Sequence, residues 1–521
     1  MLTPLDYLIL LGYLLGSVAL GLWAGGRQRH AVDYFLGSRT LPWWALCLSV
    51  VATETSTLTV IGIPAVAYGG DLSFWKLTIG YVLGRIAVAF FLLPRYFEGS
   101  LTTAYAFLGQ RFGQGMQAAA SLVFLATRLL ADGVRLFATA IPLKVMADMA
   151  GLSVSYLEVI LVVAGATVLY TLIGGLRAVV WLDVMQLLVY IGGALGALWV
   201  LWNGAPDGWW QMATAAGKTR LLVPGAETSP IRWLTEPYVF VTAVVGGAVF
   251  SMASHGTDHL MVQRLLACRD LSDSRRALIG SGLIVMAQFA LFLLVGLLLW
   301  VHYGGATPAE LGLSRADEVF PRFIIEGLPP GVSGLLLAGI LAAAMSTLSS
   351  SLNALASSTL FDLYERWRGR PLDGRQSLVV SRLLTLGWAL VFVGFASLFE
   401  STDNPVVELG LSIASFTYGG MLGVFLLGRF NRRVSQRWAI GAFLAAIGLM
   451  VLVIFGVWVR PNGHLLFALK PEAARVASEG LRSLAWPWYT LLGALLTLLF
   501  GSLPHLGHRY RRSLSQTRHL R

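Results

Sequence analysis

Runs of about twenty apolar residues, each enough to cross a hydrocarbon core ~30 Å thick as a helix, recur along this chain from one end to the other. They lie near 4–25, 43–68, 74–96, 116–147, 154–173, 178–203, 238–262, 276–303, 333–360, 378–399, 404–428, 436–459 and 485–503. Backbone polar groups in lipid must be satisfied internally, which leaves helices or a closed barrel. The short alternating segments of a barrel are not evident. The expected fold class is therefore an all-α polytopic membrane protein: one transmembrane unit over 1–521, with about thirteen helices. With 56% hydrophobic and 12% charged residues, a soluble fold would need an implausibly apolar surface.

The charges report topology more than partners. A net charge of +11 would suggest nucleic acid if the basic residues formed a soluble patch, but they fall in short loops. Arg27/Arg29, Arg177, Arg264/Arg269/Arg275/Arg276, Arg366/Arg368/Arg370/Arg375, Arg429/Arg432/Arg433/Arg437 and the basic tail 504–521 all belong to one side. The positive-inside rule then places the N-terminus outside and the C-terminus in the cytoplasm of an inner or plasma membrane. The first run has no basic residue before it, so a retained helix is expected instead of a cleaved leader. Cys47 and Cys268 imply no disulfide framework. "AAGKT" at 215–219 lacks the first glycine of a phosphate loop, and no HExxH or zinc-spaced Cys/His cluster is present.

Five segments carry polar groups that lipid would reject. "LAAAMSTLSSSLNALASSTL" (341–360) places Ser346, Ser349, Ser350, Asn353 and Ser357 on one helix side, with Thr347 flanking. Small residues ease helix packing, which accounts for one or two hydroxyls. A whole row of neutral oxygens beside an unwound partner is what a hard monovalent cation requires. "SVVATETSTLTVIGIPAVAYGG" supplies such a partner: Thr53 to Thr57 and Pro64 predict an interrupted helix with free carbonyls, a kink being the blander alternative. Asp183 lies inside an apolar helix and needs a cation, either an ion or an Arg or Lys. Arg128 and Asp132 could pair at i, i+4, yet Arg135 shares their face and leaves a positive remainder. "VVGGAVFSMASHGTDHL" predicts a second loosened helix around His255, Asp258 and His259, with too few ligands for a transition metal.

In "DYFLGSRTLPWW", "GGLRAVVWLDVMQ", "TDHLMVQRLL" and "ILAAAMSTLSSSLNALASS", in this order and spacing, the chain resembles the sodium/solute symporter family, carriers of sugars, sialic acid, proline and carboxylates. The resemblance implies a LeuT-type five-plus-five inverted repeat: an extra N-terminal helix (4–25), a first repeat (43–203), a second repeat (238–428) and two C-terminal helices (436–503). It implies one or two co-transported sodium ions. The principal site would use Ala52, Thr55, Ala343, Ser346 and Thr347; a second would use Asp183, Ser346, Ser349 and Ser350, although Leu182 stands where the family often has Thr. Solute would meet Glu54, Ser56, Thr59, Phe74, Thr78, Arg128 and His255, of which Glu54 and His255 depart from the sialic acid carriers.

The function expected is sodium-coupled import of a small polar organic solute by alternating access: a sugar, acidic sugar, carboxylate or amino acid. Arg128 inclines the reading towards an acid, unless Glu54 takes that guanidinium and leaves a neutral pocket. A proton-driven carrier using Asp183 and Glu54 is the nearest alternative. A membrane enzyme using Asp258 and His255/His259 would need a cofactor motif that is absent. The partners expected are the solute and the bilayer, with no nucleic acid and no obligatory protein.

Overall fold

The computed structural model describes residues 2–99, 101–149, 151–222, 227–398, 406–469, 471 and 473–518. Its principal helices are α1 (Pro4–Ala24), α2 (Trp43–Glu54), α3 (Thr57–Gly69), α4 (Trp75–Phe91), α5 (Gln114–Met149), α6 (Tyr156–Asn203) and α7 (Gly247–Gly256). They continue as α8 (His259–Leu266), α9 (Leu271–His302), α10 (Val332–Ser358), α11 (Gly374–Ala396), α12 (Val406–Phe430), α13 (Gln436–Gly456) and α14 (Pro487–Arg518). Among the described residues, six helices are long and apolar enough to cross a membrane. Breaks account for part of the gap from thirteen, because neither α2 nor α3 alone reaches 18 residues.

One long helix is interrupted partway along. At 1.5 Å per residue, the 48 residues of α6 would extend ~70 Å, more than twice the hydrocarbon thickness. Gly175 interrupts it with φ +57° and ψ −157°, a conformation open essentially only to glycine. A Cβ there would stand 2.5 Å from the Tyr34 carbonyl oxygen, so the chain also needs the missing side chain to pack. The two apolar runs expected at 154–173 and 178–203 are the two arms of this helix.

The hydroxyl-rich helix lies at the centre. Every residue of α10 from Leu336 to Ser358 is buried, and its most extensive packing is against α6. Asp6, an acid at the start of an apolar helix, explains one end of this arrangement. Its carboxylate accepts the Gly331 and Gly334 amides, each at 2.8 Å, and so pins α1 to the first turn of α10. At the other end a π-helical turn, Thr359–Tyr364, carries Asp362 onto the donors Thr103 (2.5 Å), Gln117 (2.6 Å) and Ser358 (2.8 Å). Thr103 belongs to the short amphipathic stretch between α4 and α5, helical over Ala106–Phe112.

Not everything is helical. β1 (Val457–Val459), β2 (Leu465–Phe467) and β3 (Arg482–Ser483) form an antiparallel sheet in the order β2-β1-β3. The all-α expectation missed it. The cause is local: Pro461, Asn462 and Gly463 (φ +84°) make a tight turn between Val-Trp-Val and Leu-Leu-Phe, two short apolar runs that each hold an aromatic ring. Helix α14 also runs on beyond 503, into the segment read as a tail. The first residues of the span expected at 404–428 lie outside the described residues.

Candidate functional site: two broken helices around a hydroxyl-bearing helix

Thr55 (φ −83°, ψ 100°) and Ser56 (φ −93°, ψ 170°) are extended, so the helix stops at Glu54 and restarts at Thr57. The Thr59 amide now donates to the Ser56 carbonyl at 2.9 Å, leaving the carbonyls of Ala52 to Thr55 outside the helical ladder. Two hydrogen bonds bracket this break against α10: Thr57 Oγ1 to the Ile340 carbonyl (3.2 Å), and Thr53 Oγ1 with Ser350 Oγ (3.1 Å). Ala343, Ser346 and Thr347 fall between those two anchors in sequence. Ala52, Thr55, Ala343, Ser346 and Thr347 are all buried. Thr347 Oγ1 returns to the Ala343 carbonyl at 3.0 Å, and Gln288 Nε2 donates to Thr55 Oγ1 at 2.7 Å. Buried carbonyls and hydroxyls at an unwound helix are suited to a dehydrated monovalent cation.

The second break is at Thr257 (φ −132°) and Asp258 (ψ 121°), between α7 and α8. Asp258 caps α8 by accepting the Leu260 amide at 2.9 Å. Its other carboxylate oxygen meets Arg128 Nη2 at 2.8 Å and accepts the Tyr418 hydroxyl at 2.7 Å. Arg128 also faces Asp132 (3.4 Å), which in turn accepts Arg135 (3.2 Å) and Ser351 (2.5 Å). Two guanidiniums thus meet two carboxylates, and the positive remainder expected on α5 is offset by Asp258.

Glu54 does not take Arg128. Its carboxylate is bound by Arg85 of α4, which is fully buried and also donates to Ser281 at 2.7 Å. His255 Nε2 stands 3.6 Å from Glu54, while its Nδ1 shares a hydrogen with Ser254 at 2.9 Å. Phe74 stacks on Phe289 with centroids 5.4 Å apart, and the Thr78 hydroxyl returns to the Trp75 carbonyl at 2.7 Å. Ser56 is buried and Thr59 half-buried.

Asp183 finds the cation it needs in Arg264 of α8, at 3.2 Å, with both groups fully buried. Ser49 (2.5 Å) and Ser346 (2.6 Å) complete its shell. Ser350 accepts from Arg264, and Ser349 donates to the Ser346 carbonyl at 3.1 Å.

The sodium:solute symporter family model matches residues 34–448, which contain both breaks and the helix between them. The chain belongs to this family. Its members are transporters coupled to sodium. The human sodium/iodide cotransporter is 29% identical over 90% of this chain and 72% of that protein. The Aliivibrio fischeri sodium/sialic acid symporter NanT is 28% identical over 89% of each chain. A solved Na+-coupled sialic acid symporter, substrate-bound and outward-open, superposes with a TM-score of 0.80 at 25% identity, covering 96% of this chain and 97% of that one. Mhp1, a nucleobase-cation-symport transporter, shares the fold at a TM-score of 0.52 and 13% identity.

In this symporter-family chain, sequence reasoning missed Arg85 and Arg264. In sequence, Arg264 reads as a topology signal of an inner loop. Arg85 carried a detectable signal, a guanidinium within "GYVLGRIAVAFF", which demands an acid somewhere in the core. His255, His259 and Asp258, grouped by sequence, face different partners: Glu54, Ser357 (3.2 Å) and Arg128. They do not converge on one reacting position.

Proposed function

We propose that this chain imports a small polar solute with sodium by alternating access, through a five-plus-five inverted repeat within thirteen spans, N-terminus outside and C-terminus cytoplasmic. The observation that carries this reading is the unwound Thr55–Ser56 segment held against α10 by Thr57 and Thr53. Sodium, written here as co-substrate, would take the carbonyls of Ala52, Thr55 and Ala343 and the hydroxyls of Ser346 and Thr347. Its binding joins α2 to α10 and favours the outward-open state; its loss to the cytoplasm loosens that joint. The ion drives transport only through this difference in affinity between states. The membrane potential adds about 2.3 kcal/mol per charge per 100 mV.

The solute we propose bears no net negative charge, contrary to the inclination from Arg128 alone. Among the described residues each guanidinium of this region has its carboxylate: Arg85 with Glu54, Arg128 and Arg135 with Asp132 and Asp258. An anion would compete with these acids for cations they already hold. Glu54, 18% exposed, is instead an acceptor for solute hydroxyl or amide hydrogens, and Phe74 offers an aromatic face. The same pairing disfavours a proton-driven cycle through Glu54 and Asp183, since each already has a cation.

Reconstitution in liposomes with labelled neutral sugars, amides and small carboxylates tests this directly. Uptake of a neutral solute that needs an inward sodium gradient, at fixed pH and undisturbed by excess carboxylate, is the expected result. Uptake indifferent to sodium defeats the coupling, and sodium-driven uptake of a carboxylate defeats the solute assignment.

A further inference from the structure

The end of α1, the break in α6 and the start of α11 meet at one joint. A Cβ on Gly25 would stand 2.5 Å from Gly174 Cα, so the end of α1 lies directly on α6 just before Gly175. Gln28 ties the three together. Its Nε2 donates to the carbonyls of Ile173 (3.1 Å) and Gly25 (3.3 Å), and its Oε1 accepts Arg382 Nη2 of α11 at 3.4 Å. The Ala31 amide donates to Ser377 Oγ at 3.1 Å, and the Tyr34 hydroxyl donates to the Thr171 carbonyl at 2.9 Å, beside Thr385 Oγ1 at 3.3 Å.

Five guanidiniums arrive with these segments: Arg27 and Arg29 after α1, Arg177 on α6, Arg375 and Arg382 on α11. Arg177 reaches back over the end of α1, its Nη1 3.5 Å from where a Cβ on Gly26 would stand. Among the described residues none of the five forms an ion pair, whereas Arg269 and Arg276, assigned to the same side of the membrane, share Asp273. The acids of these segments are Asp33 and Asp373, too few to offset five arginines. Asp33 is moreover held by the amides of Arg29 and His30 and by the Ser38 hydroxyl at 2.8 Å. The positive-inside rule accounts for arginines on this side, but not for five of them left unpaired on one joint.

Apolar surface runs straight up to these charges. Trp23 of α1, Leu169 and Ile173 of α6, and Val379 and Leu383 of α11 are all exposed. Two turns back along α6, Gly165 has nothing within 4 Å of an added carbon, so that face is open. Arg375 shares a face of α11 with Val379 and Leu386, which puts its cation at the end of an apolar stripe.

We propose that this joint binds the head group of an anionic phospholipid of the cytoplasmic leaflet, with acyl chains along the exposed faces of α6 and α11. Only the choice of leaflet rests on the orientation proposed above. Arginine forks match phosphate oxygens bidentately, and basic pockets between helices at this interface suit such head groups. A zwitterionic lipid would bring its own ammonium into a cluster already in positive excess. A soluble anion would meet the arginines but leave the apolar faces uncovered, which commits the site to a lipid. The bound lipid bridges α6 and α11 to the chain that leads from α1 into the first broken helix.

The test titrates delipidated, full-length protein in detergent with phosphatidylglycerol, with phosphatidylcholine of the same acyl chains, and with inorganic phosphate. Binding is read as a rise in unfolding temperature and as lipid retained in native mass spectrometry. Phosphatidylglycerol should do both, and the other two neither. Arg27→Gln/Arg177→Gln/Arg375→Gln removes three exposed guanidiniums that make no hydrogen bond among the described residues, so the fold should survive. Its half-saturating phosphatidylglycerol concentration should rise at least about tenfold. Arg432→Gln/Arg433→Gln/Arg437→Gln, an equal change of charge in the exposed stretch after α12, should leave that concentration unchanged. Equal loss in both variants would reveal only the field of a basic face and overturn the site, as would equal binding of phosphatidylcholine. Stabilisation by inorganic phosphate alone would overturn the assignment to a lipid. Transport is not read, so each of these failures leaves the sodium-symport reading standing.

Discussion

Arg85 of α4, fully buried, closes on the carboxylate of Glu54, 31 residues earlier at the end of α2. Its second bond, to Ser281, fastens α9 to the same point. Removing one partner of such a pair strands the other charge. Arg85→Gln should therefore lose about 2–3 kcal/mol, a figure lowered from the fully buried case because Glu54 is part-exposed. Glu54→Gln/Arg85→Gln should regain most of it, read as thermal unfolding in detergent. A double variant as unstable as the sum of the singles would show that the pair is not coupled.

The sodium ligands make a separate prediction. Thr347→Ala deletes one hydroxyl from a helix position where alanine packs well, so folding should be preserved. The half-saturating sodium concentration should rise tenfold or more, about 1.4 kcal/mol of lost binding. Thr347→Ser keeps the oxygen and should restore affinity. An unchanged sodium dependence in Ser346→Ala/Thr347→Ala would remove these residues from the site.

Arg128→Lys retains the charge but not the fork that reaches Asp258, Asp132 and Tyr418 together. A loss of about 1–3 kcal/mol in stability is expected, with no change in which solutes compete for uptake. New or lost inhibition by carboxylates in this variant would return Arg128 to the solute pocket.

Gly175→Ala should fail to give monodisperse protein, because a Cβ meets both a forbidden backbone region and the Tyr34 carbonyl. Gly165→Ala lies on the same helix with nothing within 4 Å of the added carbon, and should behave as wild type on size exclusion. Equal behaviour of the two would mean that the interruption of α6 does not depend on Gly175.

The breaks were legible because their cause is local. Hydroxyl and β-branched residues around Thr55, and glycines around His255, weaken a helix wherever it sits. The acid Asp183 announced that it needed a cation, but the identity of that cation was hidden. Arg264 is 81 residues away, and nothing in its neighbourhood distinguishes an inner-loop arginine from a buried one. The second partner of Arg128 is hidden for a related reason: the i, i+4 rule counts Asp132 and cannot see Asp258 arriving from another helix at 2.8 Å. Long-range charge pairing is decided by packing, and periodicity carries no information about it. The small sheet escaped for the opposite reason, since its strands of two or three residues are too short to show a period.

Helix α10 touches its neighbours through hydroxyls: Ser346 with α6, Ser350 with α2 and α8, Ser351 with α5, Ser357 with α8. A hydroxyl hydrogen swivels about one C–O bond and its oxygen both gives and accepts, so partners exchange without displacing the helix that carries them. Leucine in these places would interlock with the facing ridges and resist sliding. At the middle of the bundle the serines of α10 thus give it contacts that can be traded one hydroxyl at a time, where an apolar ridge would have to be unpacked whole.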